Sequence, residues 1–143
     1  MNMQRSCKLT VRSGPRTDFV DITDAVTTFV GDSGVKSGLC VVLVTHSTAG
    51  ITLNSIGDPA TRKDLVSEID RIVPTRVDFH HQFDTPRDAA AHIKLLLVGN
   101  SVLLPIEGGS IPLSVSSGIL LAEFDGPRER TVTVQIWDSG HNS

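Results

Sequence analysis

Short apolar runs, some alternating with polar residues and some continuous, recur along the chain. Alternation is typical of a half-buried β-strand, and a short continuous apolar run bounded by turn residues is typical of a fully buried one. These runs predict strands at Lys8–Val11, Asp18–Ile22, Leu39–Thr45, Ile51–Asn54, Ser101–Ile106, Ile119–Phe124 and Thr131–Trp137. Turn residues separate several of these strands, as at Arg12–Pro15 and Glu107–Ser110.

Three other segments carry the 3.6-residue apolar period of an amphipathic helix. The first runs from Thr23 to about Gly31. Pro74 ends the second helix and Gly99 ends the third. Both of these later helices begin with an N-cap residue followed by proline at the first helical position: Asp58-Pro59 and Thr85-Pro86.

The apolar positions of the last two helices predict which faces are buried. In the second helix they are Leu65, Ile69, Ile72 and Val73. In the third helix they are Ala89, Ile93, Leu96 and Leu97. The order of elements is strands, helix, strands, two helices, strands, which predicts an α+β fold with mostly antiparallel strands. We expect a single domain over residues 1–143, with a flexible tail from about residue 138.

Composition narrows the classes of partner. The chain has 143 residues and a net charge of −3, so it has no basic excess that would attract a nucleic acid. Its most apolar stretch, Leu39–Val44, is much shorter than the roughly 20 residues that span a bilayer. Cys7 and Cys40 lack zinc-ligand spacing, and the N-terminus lacks a signal-peptide pattern. We therefore expect a cytoplasmic protein with reduced thiols and no nucleic-acid or membrane partner.

The histidines are the first candidates for chemistry. His46 ends a predicted strand beside small residues, a position that can face a cleft. His80 and His81 are adjacent, and only one of them can join a given site if the segment is extended. His92 has Asp88 four residues earlier on the same helix surface, where a carboxylate can accept the second ring N–H of a metal-bound imidazole.

Two interpretations of these histidines remain open. Three imidazoles and a water form a familiar catalytic zinc arrangement, but the spacing of the chain's histidines matches no local zinc motif. The alternative is that His46 is a satisfied core residue and that His92 and Asp88 form a helix-surface pair. The residues alone favour this second interpretation, because pairs four residues apart are common on helices.

A charged segment, Glu123–Arg128, is the second candidate. It places two carboxylates and a guanidinium around a Gly-Pro turn between two predicted strands. Arg128 could clamp a phosphate with two parallel hydrogen bonds. The alternative is a charged hairpin tip whose side chains are solvated. The chain contains neither a phosphate-binding glycine loop nor a serine-hydrolase elbow.

Several separated motifs together resemble one known family, the YjbQ-like proteins. They run in register from about residue 7 to residue 137. The matching segments are His46–Asn54 with Asp58-Pro59, Phe79–His81, Ala91–Lys94, Pro105-Ile106 and Glu123–Arg128.

The resemblance implies a fold and a set of ligands. It implies a sandwich of mostly antiparallel β-sheets with two to three helices, assembled as a homotrimer. It also implies that His46, His81 and His92 bind a divalent metal, with zinc the expected ion. The activity commonly attached to the family is a secondary thiamine-phosphate synthase, which joins a pyrimidine methyl diphosphate to a thiazole phosphate and releases pyrophosphate.

The chain departs from the family pattern at a few positions. Ser55 stands where the family usually has Glu, and Asp88 stands where Asn is common. Ser116 and Ser117 replace a Trp-Gln pair. If the missing Glu or Gln orients a substrate or a water, these departures would alter or abolish activity.

Three functions follow as hypotheses. The first is the synthase-like enzyme acting on a small phosphorylated substrate, with Thr48, Asn54 and Arg128 binding that substrate. The second is a metal-dependent hydrolase in which Asp88 or Glu123 is the base, because a zinc-bound water has a pKa of about 7. The third is a non-catalytic trimer that binds a metal or a small anion, which the departures from the family pattern favour.

Overall fold

The protein is described by a computed structural model that covers residues 4–140. Seven strands and three helices follow one another in the predicted order. The strands are β1 (Gln4–Arg12), β2 (Arg16–Asp21), β3 (Ser37–Leu43), β4 (Ala49–Ser55), β5 (Ser101–Glu107), β6 (Ser117–Gly126) and β7 (Glu129–Asp138). The helices are α1 (Thr23–Ser33), α2 (Pro59–Ile72) and α3 (Pro86–Val98).

The strands form two antiparallel sheets. The larger sheet has the order β1-β7-β3-β5, and the smaller has the order β2-β6-β4. Apolar side chains of the two sheets meet in one core, to which α1 contributes Val26 and Val30. The α+β fold and the two-sheet arrangement are therefore confirmed.

The smaller sheet is covered on both faces. One face of the sheet joins the core between the sheets, and the other packs against α2 and α3 through Phe19 of β2 and through Leu120 and Phe124 of β6. Every residue of β6 from Gly118 to Gly126 is consequently buried. This double burial explains the continuous apolar run in its sequence, which is typical of a strand without a solvent face.

The buried face of α3 differs from the prediction. Ala89 is buried as expected, but Ile93, Leu96 and Leu97 are exposed, Leu96 at 81%. The small side chains of Ala90 and Ala91 lie against the sheet instead, because they allow the helix to approach β6 closely. The apolar period correctly located the helix but assigned its inward face to the wrong side.

Helix α2 agrees in part with its predicted face. Leu65 and Ile69 pack against the buried cluster beneath the helix, and Val73 is buried just beyond its end. Ile72 is exposed, so its inward assignment is wrong. The N-cap is confirmed, because the carboxylate of Asp58 accepts a hydrogen bond from the backbone N–H of Ala60 at 2.9 Å.

The C-terminal end of the chain remains attached to the larger sheet as far as it is described. Asp138 ends β7, and the backbone N–H of Ser139 donates to the carbonyl of Ser37 at 2.9 Å. The rest of the predicted tail, residues 141–143 with His141, lies outside the described residues. Between residues 4 and 140, no helix combines the length and apolar character needed to cross a membrane.

Candidate metal centre

Two histidines and one aspartate converge at the surface of α3. Asp88 and His92 lie one turn apart on that helix, and His81 comes from the connection between α2 and α3. The Oδ2 atom of Asp88 is 3.0 Å from His81 Nε2 and 3.1 Å from His92 Nε2. One ligand atom from each side chain lies within 4.8 Å of the other two, so the three groups could hold one metal ion.

The backbone fixes which nitrogen of His92 faces this cluster. His92 Nδ1 lies 2.8 Å from the carbonyl oxygen of Ser47. A carbonyl oxygen only accepts hydrogen bonds, so Nδ1 carries a proton and donates it. In the neutral ring Nε2 then presents a lone pair to the carboxylate of Asp88, which is itself an acceptor. A cation or a second proton must lie between these two atoms to make the contact favourable.

The donor set fits a small divalent metal. Ligand atoms about 2.0–2.1 Å from a tetrahedral zinc ion lie roughly 3.3 Å apart. Two of the three pairs of ligand atoms, those of Asp88 with each histidine, are close to that spacing, and the third pair, between the two histidines, lies within 4.8 Å. A ligand histidine also commonly donates its other N–H to a backbone carbonyl, as His92 does to Ser47. Both histidine side chains are about 40% exposed, which leaves one side of the cluster open to a substrate or water.

His46 lies outside the cluster, which departs from the expected set of three histidines. Among residues 4–140, the group able to hold a metal contains Asp88 in its place. The Nε2 atom of His46 instead accepts a hydrogen bond from the backbone N–H of Thr131 at 3.3 Å. The motif that begins at His46 still serves the site, because its next residue, Ser47, orients His92.

Glu123, predicted as a base, is enclosed by the protein. Its carboxylate is fully buried and accepts hydrogen bonds from Arg130, from Ser13 Oγ at 2.7 Å and from the backbone N–H of Asp125 at 3.0 Å. Arg130 also donates to Thr48 Oγ1 at 2.7 Å. In this chain Glu123, predicted as a base, and Thr48, predicted to bind substrate, are both buried and hydrogen-bonded to Arg130.

The electrostatics of Glu123 agree with this structural role. Burial alone would raise the pKa of its carboxyl group. Hydrogen bonds from Arg130, Ser13 and Asp125, with the charge of Arg130, outweigh burial and hold the pKa below its usual range. A carboxylate with a lowered pKa remains ionised and is a poor proton acceptor at neutral pH.

Arg128 does lie beside the cluster. It lines a cleft of about 360 Å³ together with Arg87 and Asp88. Its guanidinium is half-exposed and donates to the Asp125 carboxylate at 3.0 Å, and this contact raises the pKa of Arg128. The structure thus brings together Asp88 and the arginine predicted to bind phosphate.

Asn54 lies elsewhere. Its side-chain oxygen accepts a hydrogen bond from the backbone N–H of Ser55 at 2.7 Å. It lines a separate, mostly apolar cavity of about 300 Å³ between α2 and the smaller sheet, with Phe19 and Leu65. The predicted substrate contact of Asn54 is therefore not part of the cleft that contains Asp88.

Three of the four departures from the family pattern, Ser55, Ser116 and Ser117, lie together at one end of the smaller sheet, whereas the fourth, Asp88, belongs to the histidine cluster. Ser55 pairs with Ser117 across β4 and β6, and the carbonyl of Ser116 accepts from the backbone N–H of Ile56 at 2.7 Å. Ser117 is six strand residues from Glu123, or about 20 Å at the usual rise per residue. Within one chain the three serines therefore do not contact the histidine cluster, and Asp88 is the one departure that does.

Lys94, a residue with no predicted role, lies on the buried face of α3. It is only 3% exposed, and its ammonium donates to Asp70 at 2.6 Å and to Thr17 at 3.3 Å. The signal was present, because Lys94 follows the buried Ala91 by three residues and so shares its helix face. A lysine at a core-facing position costs free energy unless its charge is paired.

Comparison with known proteins gives a consistent result over nearly the whole chain. The sequence model of the family described as "UPF0047 protein YjbQ-like" matches residues 7–139. The chain is 37% identical over 129 residues to a UPF0047 protein of Methanocaldococcus jannaschii, covering 90% of this chain and 91% of the relative. It is 35% identical over 130 residues to the UPF0047 protein YugU of Bacillus subtilis, with coverages of 90% and 96%.

The solved structures agree. A YbjQ-like protein of unknown function from Sulfolobus solfataricus superimposes with a TM-score of 0.91 at 29% identity, covering 97% of this chain and 100% of that chain. An uncharacterised conserved protein of the same family from Clostridium acetobutylicum gives a TM-score of 0.84 at 37% identity, covering 91% and 98%. The similarity therefore extends to the fold as a whole.

Proposed function

The chain belongs to the UPF0047 YjbQ-like family, and from this premise we propose that it binds a divalent metal ion, zinc by preference, through His81, Asp88 and His92. The observation that carries the proposal is the convergence of His81 Nε2, His92 Nε2 and Asp88 Oδ2, in which a bound cation would satisfy the lone pair that His92 presents to the carboxylate. Bound there, a zinc ion would supply a Lewis acid and lower the pKa of a coordinated water. The choice of zinc follows from the imidazole and carboxylate donors.

The proposed substrate carries a phosphoryl group. Arg87 and Arg128 line the cleft that contains Asp88, and a guanidinium matches the geometry of a phosphate. The synthase reaction suggested by the family resemblance has a diphosphate leaving group, whose negative charge these two arginines would offset. A hydrolase acting on a phosphate ester would use the same residues to orient its substrate.

A non-catalytic function is the second candidate. Asp88 contacts both histidines and Glu123 is enclosed by Arg130, so both carboxylates predicted as bases are already engaged. This observation favours a protein that binds a metal or a small anion without turnover. The free thiols Cys7 and Cys40 support the proposal that the protein works in a reducing compartment, the cytoplasm.

We also propose that the working form is a homotrimer. Leucines are exposed on three strands and on α3, including Leu39, Leu53, Leu96 and Leu103. Exposed apolar groups at sheet edges and on helix faces commonly mark protein interfaces. Light scattering should give about 46 kDa for three chains of 15.3 kDa, and a mass of one chain would contradict the trimer.

Metal analysis of matched histidine variants tests the metal site. We expect about one zinc ion per chain in the wild type and a loss of at least tenfold in affinity for His92→Ala. His46→Ala is the matched control, since it removes an imidazole outside the cluster, and it should retain its metal. Equal zinc content in His92→Ala and the wild type would refute the site.

Activity assays separate the two functional candidates. Zinc-loaded protein is offered the pyrimidine diphosphate and thiazole phosphate pair, and separately a general phosphate monoester. Product that disappears in His92→Ala and persists in His46→Ala supports an enzyme. Zinc binding without turnover of either substrate supports the non-catalytic function.

A further inference from the structure

A second cleft lies on the other side of the first turn of α3, and we propose that it binds a phosphate group. We call it the Lys94 cleft. It has a volume of about 460 Å³. Its walls include Arg16, Thr17, Asp70, Thr85, Arg87 and Lys94.

The ammonium of Lys94 can donate one more hydrogen bond than its protein partners accept. It is held in the wall of the cleft by Asp70 at 2.6 Å and Thr17 at 3.3 Å, and the hydroxyl of Thr17 itself donates to Asp70 at 2.6 Å. An ammonium has three N–H donors, and these two acceptors account for two of them. The third donor is available to a ligand in the cleft. A buried lysine in a cavity wall, where an apolar side chain would pack at lower cost, indicates a purpose beyond packing.

Two arginines, Arg16 and Arg87, add their positive charge to that of Lys94 in the walls of the cleft. Within residues 4–140, the guanidinium groups of Arg16 and Arg87 have neither an ion pair nor a hydrogen bond to another side chain. Against the single carboxylate of Asp70, the side chains of Arg16, Arg87 and Lys94 leave the cleft with a net charge of +2, although the chain as a whole is at −3. A small dianion would neutralise this local excess.

The backbone at Arg16 is strained, which supports a functional role for this side chain. Its φ of 65° lies in the left-handed region, where a residue with a Cβ atom is disfavoured. The register of β2 against β6 shifts between Arg16 and Asp18, so the strand is irregular at this point. Strained backbone of this kind collects at ligand sites, where the position of a side chain matters more than local stability.

The start of α3 adds to the attraction for an anion. Thr85, the N-cap, and Pro86, the first helical residue, both line the cleft. The N-terminal end of a helix carries a partial positive charge and commonly faces phosphate groups. A tetrahedral dianion can bind donors from several directions at once, which suits a cleft with three cationic groups better than a planar carboxylate would.

The Lys94 cleft adjoins the candidate metal centre. Thr85 and Arg87 line both this cleft and the cleft that contains Asp88. A phosphate in the Lys94 cleft would therefore belong to a molecule that can reach the metal. This assignment to a substrate rests on the proposed function, whereas the binding of phosphate itself does not.

Titration of inorganic phosphate into the ¹⁵N-labelled protein, followed by amide chemical shifts at constant ionic strength, tests the proposal. We expect saturable shifts at residues 16–17 as well as 85–87, and at least tenfold weaker binding in Lys94→Met and in Arg16→Gln, because Arg16, Thr17 and Lys94 line this cleft and not the cleft that contains Asp88. Arg12→Gln is the matched control, because Arg12 is exposed in a pair with Glu129 and lies outside the cleft. Arg16→Gln keeps the test valid if Lys94→Met does not fold, since Arg16 is exposed and lines this cleft alone of the two.

A further variant separates binding from folding. Arg16→Gly should raise the melting temperature, because glycine tolerates the left-handed backbone, and should weaken phosphate binding at the same time. Non-saturable shifts, equal affinity in Arg16→Gln and the wild type, or equally tight binding of malonate would overturn the proposal. His92→Ala should bind phosphate normally, so loss of the metal site and loss of the phosphate site are distinguishable outcomes.

Discussion

Replacing Arg130 by Met tests the buried hydrogen-bond network that Arg130 forms with Glu123 and Thr48. Arg130 is 4% exposed and Glu123 is fully buried. Their contacts include Arg130 Nε to Glu123 Oε1 at 2.8 Å and Arg130 Nη2 to Thr48 Oγ1 at 2.7 Å. The methionine removes the guanidinium but keeps an apolar stem of similar length, so the variant isolates the loss of the charge and its donors.

The burial of the Arg130–Glu123 pair sets the expected loss of folding stability. Removing one partner of a buried ion pair leaves the other charge uncompensated and costs about 3–5 kcal/mol. With a urea m-value of about 2 kcal/mol/M for a chain of this size, the unfolding midpoint should fall by roughly 2 M. Arg12→Met is the matched control, because Arg12 and Glu129 form an exposed pair worth about 1 kcal/mol or less.

The pH dependence gives a second readout with a definite sign. Folding lowers the pKa of Glu123 from its ordinary value of 4.5, so its stabilising contribution is complete above pH 4.5 and is lost as the pH falls through the lowered native value. In Arg130→Met the carboxyl group is buried without its partner, and its pKa should rise above 4.5. The variant should then lose stability as the pH rises from 4.5 towards neutrality.

Urea unfolding of the variants tests the role of the Arg130–Glu123 pair. Urea unfolding monitored by Trp137 fluorescence should show the large midpoint shift for Arg130→Met and a small one for Arg12→Met. The double variant Glu123→Leu with Arg130→Met should recover much of the loss, because it buries no unpaired charge. If Arg130→Met and Arg12→Met unfold at the same midpoint, the account of the network is refuted.

Three smaller predictions concern other parts of the fold. Gly50→Ala should lower stability by about 1–3 kcal/mol in urea unfolding, because the added Cβ would lie 2.4 Å from the carbonyl oxygen of Gly99; no change would contradict this close approach. Burial, and to a smaller extent Cys7, raises the pKa of the Cys40 thiol to about 11. Iodoacetamide at pH 8 should therefore label Cys40 only after the protein unfolds, which mass spectrometry can check. Asp58→Ala should cost about 1 kcal/mol through loss of the N-cap of α2, and an unchanged thermal midpoint would contradict that role.

The sequence predicted the fold well because its local signals agree with one another. The Asp58-Pro59 and Thr85-Pro86 starts and the apolar strands each fix one element without reference to distant residues. The inward face of α3 could not be predicted in the same way. Its choice depends on how closely the helix approaches β6, and the small Ala90 and Ala91 decide that distance in three dimensions.

The site was predictable only in part for a similar reason. Asp88 and His92 are neighbours on one helix, so their spacing alone brings them together. His81 joins them through the path of a connecting segment, which the sequence pattern does not specify. Nor does a pattern show that the carboxylate of Glu123 would be enclosed by Arg130.

Contacts between distant segments also decided the role of the motif that begins at His46. Its contribution is the backbone carbonyl of Ser47, which orients His92 across 45 positions in the chain. A main-chain carbonyl is present at every residue and carries no signal in the sequence. The buried position of Lys94 depended likewise on the packing of α3, although its spacing from Ala91 gave an indication.

The central claim is that His81, Asp88 and His92 hold a divalent metal. The most direct measurement is an anomalous difference map, recorded at the zinc absorption edge, from crystals of the zinc-loaded protein. The account predicts one peak about 2.0–2.2 Å from His81 Nε2, His92 Nε2 and Asp88 Oδ2. A zinc-loaded crystal with no peak at this position, or with its peak at His46 instead, would contradict the account.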